Sequence, residues 1–197
     1  MARPRTFDAD DLVAAGLAVV ARGGWDAVSV RSVAAELGVT PMALYRLAPD
    51  ADRLRRAVAD AAARPVVPAD DETLEGWAVA AYRHLTGHPG LAAYVLGCWT
   101  ELPTWLDVVE ALLARAAARG TTGPGAVAPV NAVFAYVLAR AQLHDGLAAA
   151  PGRRLTSVAA DPGRYPHLAA VAGEFAVART ERHFRYGLAA LLAGLPA

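Results

Sequence analysis

Lysine is missing altogether from this sequence of 197 residues, and cysteine occurs once, at Cys98. One cysteine excludes an internal disulfide and any cysteine-based metal cluster. No stretch reaches the roughly 18 unbroken apolar residues that a membrane-crossing helix needs. The start, Met1 to Phe7, carries Arg3 and Arg5 but no apolar run behind them, because Asp8, Asp10 and Asp11 follow at once. It does not read as a secretory signal, and the expected location is cytoplasmic. Charge of one sign is not in excess either: 19 basic residues, all arginine, face 19 acidic ones. A neutral total argues against a protein that coats nucleic acid broadly. It leaves room for a compact, locally positive reading surface.

Hydrophobic residues make up 55% of the chain, enough for a substantial core. The periodicity is helical nearly throughout, with no strand-like alternation and no internal repeat. A first helix is expected from just after Thr6 or Asp8, either of which can cap it, to Gly23-Gly24. Its buried side is Leu12, Val13, Leu17, Val19 and Val20. Trp25 and Val28 anchor the short connector that follows. Ser29 caps a helix over 30–37, and Gly38 closes it. Thr40 as a cap and Pro41 in the first turn restart the chain for a brief helix over 42–47. Asp50 or Asp52 opens a fourth helix to about Ala63. Pro65-Val66-Val67-Pro68 marks the boundary between a domain over 1–64 and a larger one over 65–197. Helices are then expected over 73–86, 91–98, 103–119, 127–147 and 167–192, with a mobile connection over 151–166. The expected fold is all-α: an N-terminal three-helix domain, then a larger C-terminal helical bundle.

Ser29 to Leu54 is the informative stretch. Two short helices flank a tight turn at Gly38. Val33, Ala34 and Leu37 on the first can meet Val39 and Leu44 on the second, and the small Ala34 and Ala35 let the helices cross closely. That is helix-turn-helix geometry, whose second helix enters the major groove of DNA. Its outward residues are Thr40, Pro41, Met42, Ala43, Tyr45 and Arg46.

The run Leu37-Gly38-Val39-Thr40-Pro41-Met42-Ala43-Leu44-Tyr45-Arg46 resembles the turn and recognition helix of the TetR family of transcription regulators. The branch with the tetracycline repressors is the most similar. The ending, Phe184 to Leu188 through Leu191-Leu192 and Gly194-Leu195, is similar to a common C-terminal pattern of that family. The resemblance implies a homodimer on a palindromic operator of double-stranded DNA. In it, Arg31 reads a base, Tyr45 and Thr40 bond phosphate, and Arg46 touches phosphate or base. Pro41 and Met42 meet a thymine methyl, and Arg3 and Arg5 add contacts from a flexible arm. One departure stands out. The family usually follows its tyrosine with a histidine, an aromatic or apolar residue, and a phosphate-holding lysine. This chain has Leu47, Ala48 and Ala51 there, leaving Arg53, Arg55 or Arg56 as substitutes.

In the second half, Trp77, Trp99, Trp105 and Phe134 coincide with Asn131, Gln142 and His144 on otherwise apolar helices. Read singly, each is core; together they suit a small-molecule cavity for an apolar or aromatic ligand. No cofactor is expected. His84 and His88 have helical spacing, but Pro89 ends the helix there and no carboxylates accompany them, so no metal site is expected. There is no serine elbow, phosphate loop or paired carboxylates, and Cys98 beside Trp99 reads as packing, so the chain is not read as an enzyme. The expected function is a DNA-binding regulator, a repressor released from its operator by a small ligand. The alternatives are an activator of the same type, or a helical ligand-binding protein or enzyme without DNA binding. The stripe Val177, Phe184, Leu188 and Leu191 is expected to form the dimer seam, with Gly187 permitting close approach.

Overall fold

The computed structural model describes residues 7–69, 72–148, 161–173 and 180–194, and no strand occurs among them. Helix α1 spans Ala9–Gly23, with Asp8 and Asp11 forming a reciprocal capping box at its start. A short 3-10 turn, Trp25–Ala27, leads to α2 over Val30–Leu37. Ser29 caps α2 by accepting from the Ser32 N–H, and Gly38 ends it in the left-handed region at φ 69°. That conformation is open to glycine without penalty.

Helix α3 is Pro41–Leu44, shorter than the expected 42–47 and one residue earlier. Past Leu44 the chain tightens, because the amides of both Leu47 and Ala48 bond the Leu44 carbonyl. Thr40 stands at the capping position but makes no side-chain cap bond; Pro41 has no N–H to satisfy there. Helix α4, Ala51–Ala61, is capped by Asp50. A 3-10 turn at Arg64–Val66 then leads into α5, Leu74–Thr86.

Next come α6, Leu91–Cys98, a 3-10 turn at Trp99–Glu101, and α7, Pro103–Ala118. Helix α8 runs over Pro124–Ala148 with Pro129 inside it. It packs on α5, α6 and α7 and forms the axis of the C-terminal half. Its span 124–146 is long and apolar enough to cross a membrane by composition, yet it is the central packing helix of this fold.

The single terminal helix expected over 167–192 is divided. Helix α9, Pro166–Ala170, stops where Val171 leaves helical geometry at φ −123°. Helix α10, Glu181–Ala193, begins after an extended Thr180. Most of the connection expected over 151–166, and Val177, lie outside the described residues.

The dimer seam needs correcting. Phe184 and Leu188 are fully buried within the protomer. Phe184 stacks on Tyr82 of α5, with ring centroids 4.1 Å apart, and on Tyr136 of α8 at 5.4 Å. The Tyr136 hydroxyl donates to the Phe184 carbonyl at 3.0 Å. Gly187 makes room for that tyrosine, since a Cβ there would lie 2.2 Å from its hydroxyl. Phe184 and Leu188 therefore belong to the protomer's own core, and Leu191 packs partly against it. What α10 exposes is Arg182, Arg185, Tyr186, Ala189, Ala190 and Ala193.

One hydrophobic core runs without a break from Leu12 in α1 to Leu188 in α10. At its centre, helix α4 is fastened to the C-terminal half by hydrogen bonds. The indole N–H of Trp105 donates to the Ala59 carbonyl of α4 at 2.8 Å. Just beyond α4, the indole N–H of Trp77 donates to the Val66 carbonyl of the 3-10 turn at 2.7 Å. Asp60 accepts from the Thr104 amide at 2.7 Å and its hydroxyl at 2.9 Å. Arg56 adds an ion pair to Glu101.

Candidate nucleic-acid interface

Val33, Ala34, Leu37 and Leu44 are buried, which locks α2 against α3. With Leu44 turned inward, the rest of α3 faces out. Met42 is 76% exposed and Tyr45 46%; Thr40, Pro41 and Arg46 are exposed, and Ala43 is half-buried. Arg31 stands exposed in the first turn of α2. A groove of about 640 Å³ runs between the starts of α2, α3 and α4. Arg31, Pro41 and Tyr45 all line it, beside Ser29, Asp50 and Ala51. The fold thus gathers an arginine fork, a phenol and the starts of three helices around one concave face. Such a set can bind phosphate oxygens and a guanine edge. Arg3 and Arg5 lie outside the described residues.

The three candidate substitutes for the missing lysine differ in availability. Arg55 donates to the Val28 carbonyl at 3.1 Å, bracing the connector. Arg56 is held between Asp52 and Glu101. Arg53 is exposed, with no side-chain ion pair among the described residues, and sits in the first turn of α4 beside the groove.

The residues singled out in the C-terminal half separate into groups. Trp77, Trp105 and Phe134 are buried. Trp99 is half-buried, edge-on to Phe134 at 5.3 Å, and Trp105 meets the same ring at 6.2 Å. His144 is half-buried, 3.3 Å from the Tyr82 hydroxyl. Asn131 and Gln142 are exposed on α8. A cavity of about 540 Å³ lies elsewhere, at the end of the bundle away from the N-terminal helices. Leu74, Leu112, Ala116, Val130 and Leu192 give it an apolar wall, and Arg115 and Arg119 a polar one.

Among the described residues no cluster of His, Cys, Asp or Glu could hold a metal. His84 is held below the usual imidazole range by burial and by the neighbouring His88. Cys98 donates to the Tyr94 carbonyl, and burial pushes its thiol up, away from nucleophilic reactivity.

Sequence reasoning passed over the junction between the N-terminal helices and the bundle. There the Trp25 amide donates to the Pro89 carbonyl at 2.7 Å, and the Gly90 amide to Asp145 Oδ2 at 2.8 Å. Trp25 was legible as an anchor; nothing local signals that Asp145 reaches the α5–α6 turn.

Comparison with known proteins agrees with the helix-turn-helix geometry. The pattern for the bacterial regulatory proteins of the tetR family matches residues 12–58, and that for the tetracyclin repressor-like C-terminal domain matches residues 68–197. The HTH-type transcriptional repressor DrrR1 of Streptomyces coeruleorubidus is 31% identical over 219 residues, spanning 96% of this chain and 77% of that protein. The structure of Mycobacterium smegmatis BioQ is 27% identical, with a TM-score of 0.67 over 96% of this chain and 98% of BioQ. BioQ has also been solved with its natural double-stranded DNA operator. Streptomyces coelicolor ActR, solved in complex with (S)-DNPA, is 23% identical, with a TM-score of 0.71 over 97% of this chain and 98% of ActR.

Proposed function

Because the chain belongs to the TetR family of DNA-binding transcription regulators, we propose that it is a homodimeric repressor that leaves a palindromic operator when a small molecule binds its C-terminal domain. Residues 1–64 form the DNA-reading head and residues 65–197 the ligand-binding and dimerisation domain, acting in the cytoplasm. The observation that carries the reading is the groove that Arg31, Pro41 and Tyr45 share. Arg31 bonds a guanine edge, Tyr45 and Thr40 hold phosphates, Arg46 supports the backbone, and Met42, Pro41 and Ala43 pack on base edges. Arg53 takes the phosphate contact that the absent lysine would make. Arg3 and Arg5 reach the duplex from the arm. BioQ, a relative solved with an operator, supports this assignment.

Dimerisation is supported by what α8 and α10 leave uncovered. Ala128, Asn131, Ala139, Gln142 and Gly146 form an exposed, mostly small-residue line on α8, with Val127 and Leu143 beside it. Tyr186, which is 81% exposed, stands on the open face of α10. Small residues let helices of two protomers approach closely, and a two-fold pair matches two half-sites. The effector is a small apolar or aromatic molecule. The ActR complex supports a ligand in this fold, and the contacting rings of Trp99, Trp105 and Phe134 support an apolar site. Release requires only that the ligand favour the arrangement of heads that fits DNA poorly.

The test is a gel shift at several salt concentrations with DNA from beside the gene. Wild type is expected to select one site. Arg31→Ala is expected to relax preference at one base pair per half-site, costing about 1–3 kcal/mol. Tyr45→Phe is expected to weaken all sequences alike. Equal binding of promoter and random DNA by the wild type overturns the reading.

A further inference from the structure

The head is tied to the C-terminal domain at two places that share no residue. The first is α4, fastened through Asp60 to α7. The second is the connector after α1. Its Trp25 amide is bonded to the Pro89 carbonyl, and its ring lies 4.6 Å from that of Tyr94 in α6. The turn that receives it is itself held from below, since Asp145 near the end of α8 accepts from the Gly90 amide at 2.8 Å. A body attached at one place can swing about it; a second attachment fixes its angle.

The geometry points to Asp145 as a positioning residue that sets the angle of the DNA-reading head, by bracing the Pro89-Gly90 turn against Trp25. It rests on the dimeric, operator-binding reading above. Three details favour a device over incidental packing. Gly90 is at φ 86°, and a Cβ there would lie 2.7 Å from the Trp25 Cβ, so the contact is close enough to admit no side chain. Asp145 comes from α8, whose exposed line offers the dimer contact, so the brace leads from one protomer's head to the two-fold axis. Finally, the engaged contact leaves Asp145 Oδ1 and the Trp25 indole N–H buried and without partners among the described residues. Both would regain water if the brace opened, so the engaged state is not locked. A cleft of about 460 Å³ alongside, lined in part by Asp26, Ala93 and Gln142, gives the connector space to move.

The test uses the full-length protein in a Cys98→Ser background, spin-labelled at Ala35→Cys on the exposed face of α2. The distance between labels in the two heads of the dimer is measured. In parallel, DNA chosen by selection on the wild type is compared with versions whose half-sites are one base pair closer or further apart. The brace predicts a narrow distance distribution and sharp spacing preference in the wild type. In Asp145→Ala and Gly90→Ala, the distribution is expected to broaden and spacing discrimination to fall by at least about fivefold, the low end of typical coupling between sites. Asp145→Asn, which keeps an acceptor for Gly90, is expected to retain the narrow distribution. Unchanged widths and spacing preference in Asp145→Ala overturn the brace while leaving operator binding intact. A wild type without dimer or operator preference overturns the reading beneath it as well.

Discussion

Helices α1 and α4 meet at Gly16, and the contact is tight enough to turn into a number. A Cβ built on Gly16 would lie 2.3 Å from Val58 Cγ2, 3.1 Å from Cγ1 and 3.3 Å from Cβ. Unbonded carbons settle about 3.5–4.0 Å apart, so Gly16→Ala forces a displacement on the order of 1 Å. Val58 is fully buried and β-branched; rotating its χ1 replaces one methyl with another. Overpacking of this kind costs about 1–3 kcal/mol. Replacing a mid-helix glycine by alanine returns about 1 kcal/mol. The expected net loss for Gly16→Ala is about 1 kcal/mol, a fall in Tm of about 2–4 °C for a chain of this length. Val58→Ala alone opens a void and is expected to cost about 2 kcal/mol. Together, the new methyl occupies the space the old ones left, so the double variant is expected to fall short of the summed losses by about 1–2 kcal/mol. Urea unfolding of all four proteins, read as midpoints with unchanged slopes, measures the cycle. Strictly additive losses would refute the argument, because they would mean that Val58 does not limit the approach of α1.

Three further outcomes follow from the packing. Trp105→Phe keeps an aromatic ring but removes the indole donor to the Ala59 carbonyl and part of a fully buried side chain, and is expected to cost about 1–3 kcal/mol in urea unfolding; no loss would mean that the bond is idle. Tyr186→Glu, on the open face of α10, is expected to give a folded monomer by light scattering, whereas Leu188→Glu places a charge in the protomer's own core and is expected to lower Tm sharply; the reverse pattern would restore Leu188 to the seam. Arg83 and Arg185 clamp the Glu181 carboxylate and hold its pKa down to about 2 from an ordinary 4.5. The clamp's stability is therefore present above about pH 4.5 and lost as pH falls towards 2, so Glu181→Gln is expected to flatten the acid limb of the stability profile in that window and to leave it parallel to wild type above it.

The head was legible in the sequence because its signals are local. Asp8, Ser29 and Asp50 cap from their own positions, Gly38 takes the left-handed turn, and each fixes a boundary without help from distant residues. The groove residues could be named for the same reason: once Leu44 is turned inward, the rest of α3 points out. Elsewhere the cues were ambiguous in kind. An apolar stripe reads alike whether it packs on its own protomer or on a partner, and Phe184 and Leu188 pack on their own. Buried indoles read as a ligand wall, yet Trp77 and Trp105 spend their N–H groups on carbonyls at Val66 and Ala59, partners that only the tertiary arrangement supplies. The breaks at Val171 and Thr180 lie in a stretch whose apolar spacing continues through it, so periodicity could not mark them.

The unbroken core between Leu12 and Leu188 bears on how such a protein can be recombined. A chimera cut at residue 64 would carry α4 away from Trp105 and Thr104, leaving Asp60 and the Ala59 carbonyl facing a foreign surface. This head is expected to be exchangeable only together with the matching edge of α7, and melting is expected to proceed as one cooperative event rather than head first. A hybrid that takes its head from one relative and its sensor from another must inherit both sides of that seam to hold its shape.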